Sequence, residues 1–309
     1  MKVLPLLSLL PRLPGLPGPR LSTELLGATV LELVVLTGHL VAYPFGLTQE
    51  RHAPDPPPEA PPGTTGTTGT TGTPPEAPSE TPPGTRPRPL PGAQAAERPV
   101  VLLHGFADNR SVFVLLRRAL ARHGRRHLTS LNHSPLTRDL RTSAELLGRH
   151  VEEVCARTGQ HEVDIVGHSL GGLIARYYVQ RLGGDHRVRT LVTLGTPHGG
   201  TAVAPGAGIH PIVRQMRGGS QLIEELRRPA PGCRTRFVSF WSELDQVMVP
   251  VETACVDHPD LDAVNVRVTG IGHLALPVHP AVAAAVREAL ESQEAREGTA
   301  PSTGTTSAA

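Results

Sequence analysis

Cysteine and lysine are nearly missing from this chain. Three cysteines among 309 residues are too few for a disulfide framework, so any folded region must rest on a hydrophobic core. Lys2 is the only lysine. Arginine carries the remaining positive charge, which reads as compositional bias rather than phosphate recognition. The formal net charge of +2 selects for no particular partner. Arg122, His123, Arg125, Arg126 and His127 read as a solvated helix end and loop. No nucleic-acid-binding motif accompanies them, so no nucleic-acid partner is expected.

Apolar residues are missing from one long stretch. Residues 53–98 are dominated by Pro, Gly, Thr and Glu, and 63–73 repeat Gly-Thr-Thr. The period of three is not collagen, because the repeat itself holds no proline. With nothing to bury, ordering this segment has no offset for its entropy cost, and a disordered linker is expected. Its root-mean-square reach is roughly 35 to 40 Å, enough to hold a folded domain clear of a membrane or wall. Residues 293–309 read as a second unstructured segment.

One long hydrophobic run stands in the N-terminal segment, 1–52. Residues 25–47, LLGATVLELVVLTGHLVAYPFGL, are long enough as a helix to span a bilayer. Glu32 inside it would cost roughly 2.5 to 3.5 kcal/mol at the bilayer centre. Lys2, Arg12 and Arg20 precede the run and Arg51 follows it, so its start would face the cytoplasm and the rest would be exported. No small-x-small cleavage site follows. The expectation is an uncleaved signal anchor on an extracytoplasmic protein. An apolar helix docked on the soluble domain or lying in the interface, and a cleaved signal on a secreted one, remain the alternatives.

Residues 99–292 read as one domain. Strand-like runs at Val100 to Leu103, His127 to Leu131, Val163 to Val166, Val188 to Leu194, Arg236 to Trp241 and Val264 to Thr269 alternate with helical patterns. Such alternation predicts an α/β fold, a compact, mostly parallel sheet of about six strands with helices on both faces. Reactive residues on such sheets gather at the carboxyl ends of the strands.

Gly167-His168-Ser169-Leu170-Gly171 sits between a predicted strand and a predicted helix. A serine on so tight a turn adopts strained backbone angles, and the flanking positions must lack side chains. The turn would expose the hydroxyl beside the free N–H groups of a helix start, which makes Ser169 the candidate nucleophile. The bland alternative is an N-capping serine in a Gly-rich turn. Asp245, after the Arg236 strand, is the candidate carboxylate, with Glu243 its rival. His273 follows the last strand between glycine turns, where the order Ser, acid, His requires a base. His104, His168 and His198 read as loop braces.

The segments LLHGFADN, DIVGHSLGGLIARYY, TLGTPHGGT, WSELDQVMVP and VTGIGHLAL together resemble the small bacterial lipases and esterases of the α/β-hydrolase fold. The resemblance covers 99–292 and none of the N-terminal third. It implies Ser169 as nucleophile, His273 as general base, Asp245 as its partner, and the backbone N–H groups of Phe106 and Leu170 as an oxyanion hole. It further implies hydrolysis of a lipid or small acyl ester by a monomeric domain through an acyl-enzyme. Acyl transfer or thioester hydrolysis by the same triad is one alternative, and a non-enzymatic tethered binding module another. Calcium-binding relatives carry an aspartate soon after the histidine, whereas Leu274-Ala275-Leu276-Pro277 stands here. No metal and no cofactor is therefore expected.

Two further expectations concern the loops. Cys233 and Cys255 flank the strand and loop bearing Asp245, and a disulfide between them would be permissible after export; two reduced thiols are the alternative. The insertion between Thr196 and Ser220 is too short for a full helical lid. It reads as a small flap lining an acyl groove or as a plain connection.

Overall fold

The computed structural model describes residues 23–46, 97–106, 108–132, 139–203 and 210–298. The expected linker, up to residue 96, and residues 299–309 of the tail lie outside the described residues. Six aliphatic-rich runs form strands β1 (Val100–Leu103), β2 (Leu128–Leu131), β3 (Val163–His168), β4 (Val188–Leu194), β5 (Arg236–Ser242) and β6 (Asp262–Val268). They lie in the order β2-β1-β3-β4-β5-β6, and every neighbouring pair is parallel. Parallel strands need crossovers. Helices α2 (Val114–Arg122), α3 (Leu140–Thr158), α4 (Leu170–Arg181), α5 (Pro211–Gln215), α6 (Gln221–Arg227) and α7 (Pro280–Gly298) fall in or after these connections, and α1 (Thr23–Gly46) precedes the sheet.

Successive strand residues serve opposite faces of the sheet. Val101, Leu103, Val163 and Ile165 pack with Leu147, Leu173 and Ile223 from the helices of one face. Val100, Leu102, Val166 and Phe240 pack with Leu116, Leu120, Val286 and Leu290 of α2 and α7 on the other. Burial from both sides explains why β1 and β3 read as continuous apolar runs rather than as alternation. Asp164 is the polar exception in β3. It is fully buried, accepts the Thr190 N–H at 3.1 Å and lies 3.8 Å from Arg98 Nε. Glu97 in turn lies 3.2 Å from Arg125 Nε, so the folded unit takes in residues ahead of the expected start at Pro99.

Local signals set the helix limits. Asp139 caps α3 by accepting the Arg141 N–H at 3.0 Å, and left-handed Gly159 closes it. Ser220 caps α6 through the Ile223 N–H. The closing helix α7 runs to Gly298, beyond the expected end at Ser292, because Gln293, Glu294, Ala295 and Arg296 are good helix formers.

Two expectations change. Cys233 and Cys255 are unbonded. Ser239, halfway along β5, donates to the Ala254 carbonyl, which places Cys255 beside mid-strand, whereas Cys233 precedes the strand altogether. Within the 196–220 insertion, residues 204–209 lie outside the described residues. The remainder includes α5 and buries Ile212 and Val213 in the core, so these two are packing residues rather than the face of a flap, while Met216 is buried with them and also lines the cavity that holds Ser169.

Helix α1 has the length and composition to cross a membrane, yet one of its faces is docked on the domain. Leu31 and Val35 pack against the α2/α7 core. The Tyr43 and Gly46 carbonyls each accept a side-chain N–H at 2.8 Å, from Asn109 and Asn132 respectively. The other face is bare: Leu26, Val30, Leu33, Val34, Leu40 and Val41 are 54 to 70% exposed. Docking is the second of the arrangements open from sequence.

Arg176 on α4 is an internal brace. Its guanidinium is fully buried and donates to the His198 and Leu226 carbonyls, both at 3.2 Å, and to Gln180. Burial, reinforced by the positive charges of Arg181 and Arg227, pulls its pKa down to about 10, so it still holds its proton at neutral pH. Arg176→Leu removes the donor to the buried His198 carbonyl and leaves the Leu226 carbonyl only the longer bond from Gln180 Nε2 at 3.4 Å. It is expected to lower unfolding stability by about 3 kcal/mol in urea melts; a change within about 0.5 kcal/mol would refute the brace.

Candidate active site

The carboxyl ends of β1, β3, β4 and β5 converge on Ser169. Its backbone sits at φ 52°, ψ −120°, and it is the one non-glycine residue with positive φ among the described residues. That region favours glycine and costs an L-residue roughly 1 to 3 kcal/mol. Three contacts over-determine the turn: Ser169 N–H donates to the Leu194 carbonyl at 2.9 Å, and the Ser169 carbonyl accepts from Gly172 N–H at 3.1 Å and Thr196 Oγ1 at 3.0 Å.

The glycines follow from close approach rather than from their own backbone angles. A Cβ on Gly167 would lie 2.5 Å from Gly172 Cα, and one on Gly171 would lie 2.3 Å from the Leu103 carbonyl oxygen. Helix α4 is thus pressed against both β3 and the end of β1. Gly172 was not singled out from the sequence, yet a Cβ there would meet Thr196 Oγ1 at 2.0 Å. It keeps open the space through which Thr196 reaches the serine carbonyl.

His273 and Asp245 form the second part of the site. His273 Nδ1 donates to Asp245 Oδ2 at 2.7 Å, and both side chains are buried. The other oxygen, Asp245 Oδ1, accepts the Val247 and Met248 N–H groups at 2.9 and 3.0 Å, which fixes the carboxylate in orientation. Glu243 takes no part: it pairs with Arg267 of β6. Burial raises the Asp245 pKa, but His273 and the two N–H donors outweigh it and the net shift is downward. Burial likewise disfavours charge on His273, and Asp245 outweighs it, with Glu32 and Asp108 adding to a net upward shift.

Ser169, His273 and Phe106 line one cavity of about 130 Å³ together with Asp108, Pro197, Thr201, Met216, Val247, Met248 and Leu274. The loop after β1 runs hard against the serine, since a Cβ on Gly105 would lie 3.3 Å from Ser169 Cβ. Leu170 is the first residue of α4, so its N–H has no partner one turn back. The ring of Phe106 packs on His210, with centroids 5.2 Å apart. The walls are mostly apolar.

The other histidines act as braces, as expected. His198 Nε2 donates to Thr193 Oγ1, which passes the chain to Ser239 Oγ and the Ala254 carbonyl. Burial first, and then Arg176, push its pKa well down, so it stays neutral. His168 Nε2 donates to the His273 carbonyl at 3.2 Å, and the two rings lie 4.8 Å apart. Asp108 was not chosen from the sequence although it stands in the quoted LLHGFADN stretch. Its carboxylate lies 3.4 Å from His168 Nδ1 and 3.7 Å from His39 Nδ1. Burial opposes ionisation there, but the neighbouring His168, His39 and His104 hold its pKa at about 2.

With this geometry in place, the similarity to known proteins can be stated. The profile of a family described as palmitoyl protein thioesterase matches residues 99–231. A triacylglycerol lipase of Pseudarthrobacter phenanthrenivorans is 31% identical over 117 residues, 36% of this chain and 36% of that one. A triacylglycerol lipase of Burkholderia plantarii matches at the same identity over 36% of this chain and 32% of its own. The chain thus spans about a third of the length of these curated relatives. Aspergillus fumigatus lipase B superposes with a TM-score of 0.57 at 16% identity, covering 64% of this chain and 53% of that one. At such identity the superposition speaks for the fold alone, and the fold is that of the α/β hydrolases.

The His273 shift is open to direct measurement. Its imidazole is expected to titrate above the ordinary 6.5 in NMR, and Asp245→Asn is expected to lower the midpoint by removing the charge that holds the proton. The sign for folding follows: the His273–Asp245 pair stabilises fully below pH 6.5 and loses that contribution as pH rises through the folded-state pKa. A midpoint at or below 6.5 in the intact protein would contradict this electrostatic account.

Proposed function

We propose that this α/β hydrolase is a serine carboxylic ester hydrolase of lipase or esterase type. The observation that carries the reading is the His273–Asp245 pair at 2.7 Å on the same small cavity as the strained Ser169. The curated lipase relatives support the chemistry.

Ser169 Oγ attacks the ester carbonyl carbon while His273 Nε2 takes the hydroxyl proton. Asp245 holds Nδ1–H, so the ring presents Nε2 and its positive charge is compensated as it forms. The tetrahedral oxyanion accepts from the Phe106 and Leu170 N–H groups, each worth about 3 to 4 kcal/mol in the transition state. The C–O bond breaks, and His273 returns its proton to the departing alcohol. Water then attacks the acyl-enzyme with the same base, and release of the carboxylic acid restores the Ser169 hydroxyl.

A thioester substrate is the second reading, because the matching family profile is described as a palmitoyl protein thioesterase. The same residues would expel a thiolate in place of an alkoxide. The small cavity and the bare apolar face of α1 together favour an acyl substrate delivered from a lipid surface. The protein would be extracytoplasmic, with α1 lying on that surface.

A nitrophenyl ester series tests the first reading. For the full chain, kcat/KM is expected to rise by about fourfold per added methylene until the cavity is filled, and then to fall. Ser169→Ala should lose at least about a thousandfold in kcat, and retention of wild-type turnover would refute the nucleophile. Faster deacylation of the matching acyl thioester than of the ester would favour the second reading. For the lipid surface, the full chain is expected to float with lipid vesicles in about 1 M salt, where charge attraction is screened to within about 3 Å. Complete release by salt would reject the apolar contact.

A further inference from the structure

His273 opens a run of turns that extends through Val278. The first N–H groups of such a turn have no partner within it. Here Leu274 N–H donates to Glu32 Oε2 and Ala275 N–H donates to Glu32 Oε1, both at 2.9 Å. One carboxylate, from helix α1, therefore grips the two residues that follow the histidine. The preceding residue is fitted to it as well: a Cβ on Gly272 would lie 2.7 Å from Glu32 Cδ. The remaining backbone anchors of this loop come from the sheet. Ser242 Oγ donates to the Ile271 carbonyl and His168 Nε2 to the His273 carbonyl. Glu32 thus supplies the loop with a clamp from α1.

We propose that Glu32 is a positioning residue for His273, which makes α1 a working part of the active site rather than a tether alone. This rests on reading Ser169, His273 and Asp245 as the catalytic triad. An acid in the middle of a predominantly apolar helix is explained by the clamp. The mechanism needs Nε2 of a buried ring held to well under 1 Å, and the ring is carried by a glycine-bounded loop. Charge-assisted bonds to two consecutive N–H groups fix that loop at the right place.

A purely structural contact would not alter the titration of His273, whereas this one should. The charged and titratable groups facing the ring are Asp245 from the end of β5, Asp108 from the loop after β1, His168 from the end of β3 and Glu32 from α1. His39, also on α1, lies behind Asp108. Burial opposes protonation, Asp245 outweighs it, and Glu32 and Asp108 add to the upward shift. Neutralising Glu32 should lower the His273 pKa, so the neutral base forms at lower pH.

The test compares full-length wild type with Glu32→Gln, Glu32→Ala and Ser169→Ala on nitrophenyl butyrate across the pH range in which the fold persists by circular dichroism. Glu32→Ala is expected to lose about tenfold or more in kcat with KM within about twofold. Glu32→Gln keeps the shape and one acceptor but lacks the charge. It should lose less, and its acid limb should move to lower pH. Should Glu32→Ala fold poorly, the acid limb of Glu32→Gln decides. Both variants within about twofold of wild type, with an unmoved acid limb, overturn the proposal. Wild-type activity in Ser169→Ala would instead overturn the triad reading, so the two failures are distinct.

Discussion

A serine backbone held at φ 52°, ψ −120° would relax if released, and the carboxyl edge of the sheet is arranged to prevent it. The restraint comes from three directions: β4 through Leu194, the following loop through Thr196, and α4 through Gly172. Each restraint requires α4 to lie closer to β1 and β3 than a side chain at Gly167 or Gly171 would permit. The glycines, the crossover from β3 and the central place of β3 in the sheet are therefore parts of one constraint. Its consequence is a hydroxyl standing at the edge of the cavity instead of folding back as a helix cap; Ser169 makes no side-chain cap bond to α4.

Charge is placed as carefully as the backbone. Arg176 and His198 are both buried, but only Arg176 stays charged, because its pKa is pulled down only to about 10 while burial, and then Arg176, push that of His198 well down. His273 is surrounded by three carboxylates, Asp245, Glu32 and Asp108, which together overcome the penalty of burial. Helix α1 joins this arrangement with one face and leaves the opposite one apolar and bare.

The parallel sheet was legible because both its faces are buried: β1 and the start of β3 are largely apolar runs, and the limits of β1 and β4 match the structure closely. Ser169 was legible for a related reason, since tight packing leaves glycines in the sequence. Asp245 was legible only by chain order, and its choice over Glu243 follows from which carboxylate faces His273. The clamp was hidden because Glu32 lies 242 residues from the loop it holds, and local pattern carries no trace of such a contact. In a sequence reading, Glu32 counted only as a cost to membrane insertion. Both thiols of the Cys233–Cys255 pair offered by the sequence are free in the structure.

The most direct measurement of the central claim is the pre-steady-state reaction of the full chain with a nitrophenyl ester, quenched in acid and mapped by mass spectrometry. The account predicts a burst of nitrophenol approaching one equivalent per chain, with a single acyl group on the peptide carrying Ser169. Ester turnover with an unmodified Ser169 peptide, or with the acyl group on another residue, would contradict it.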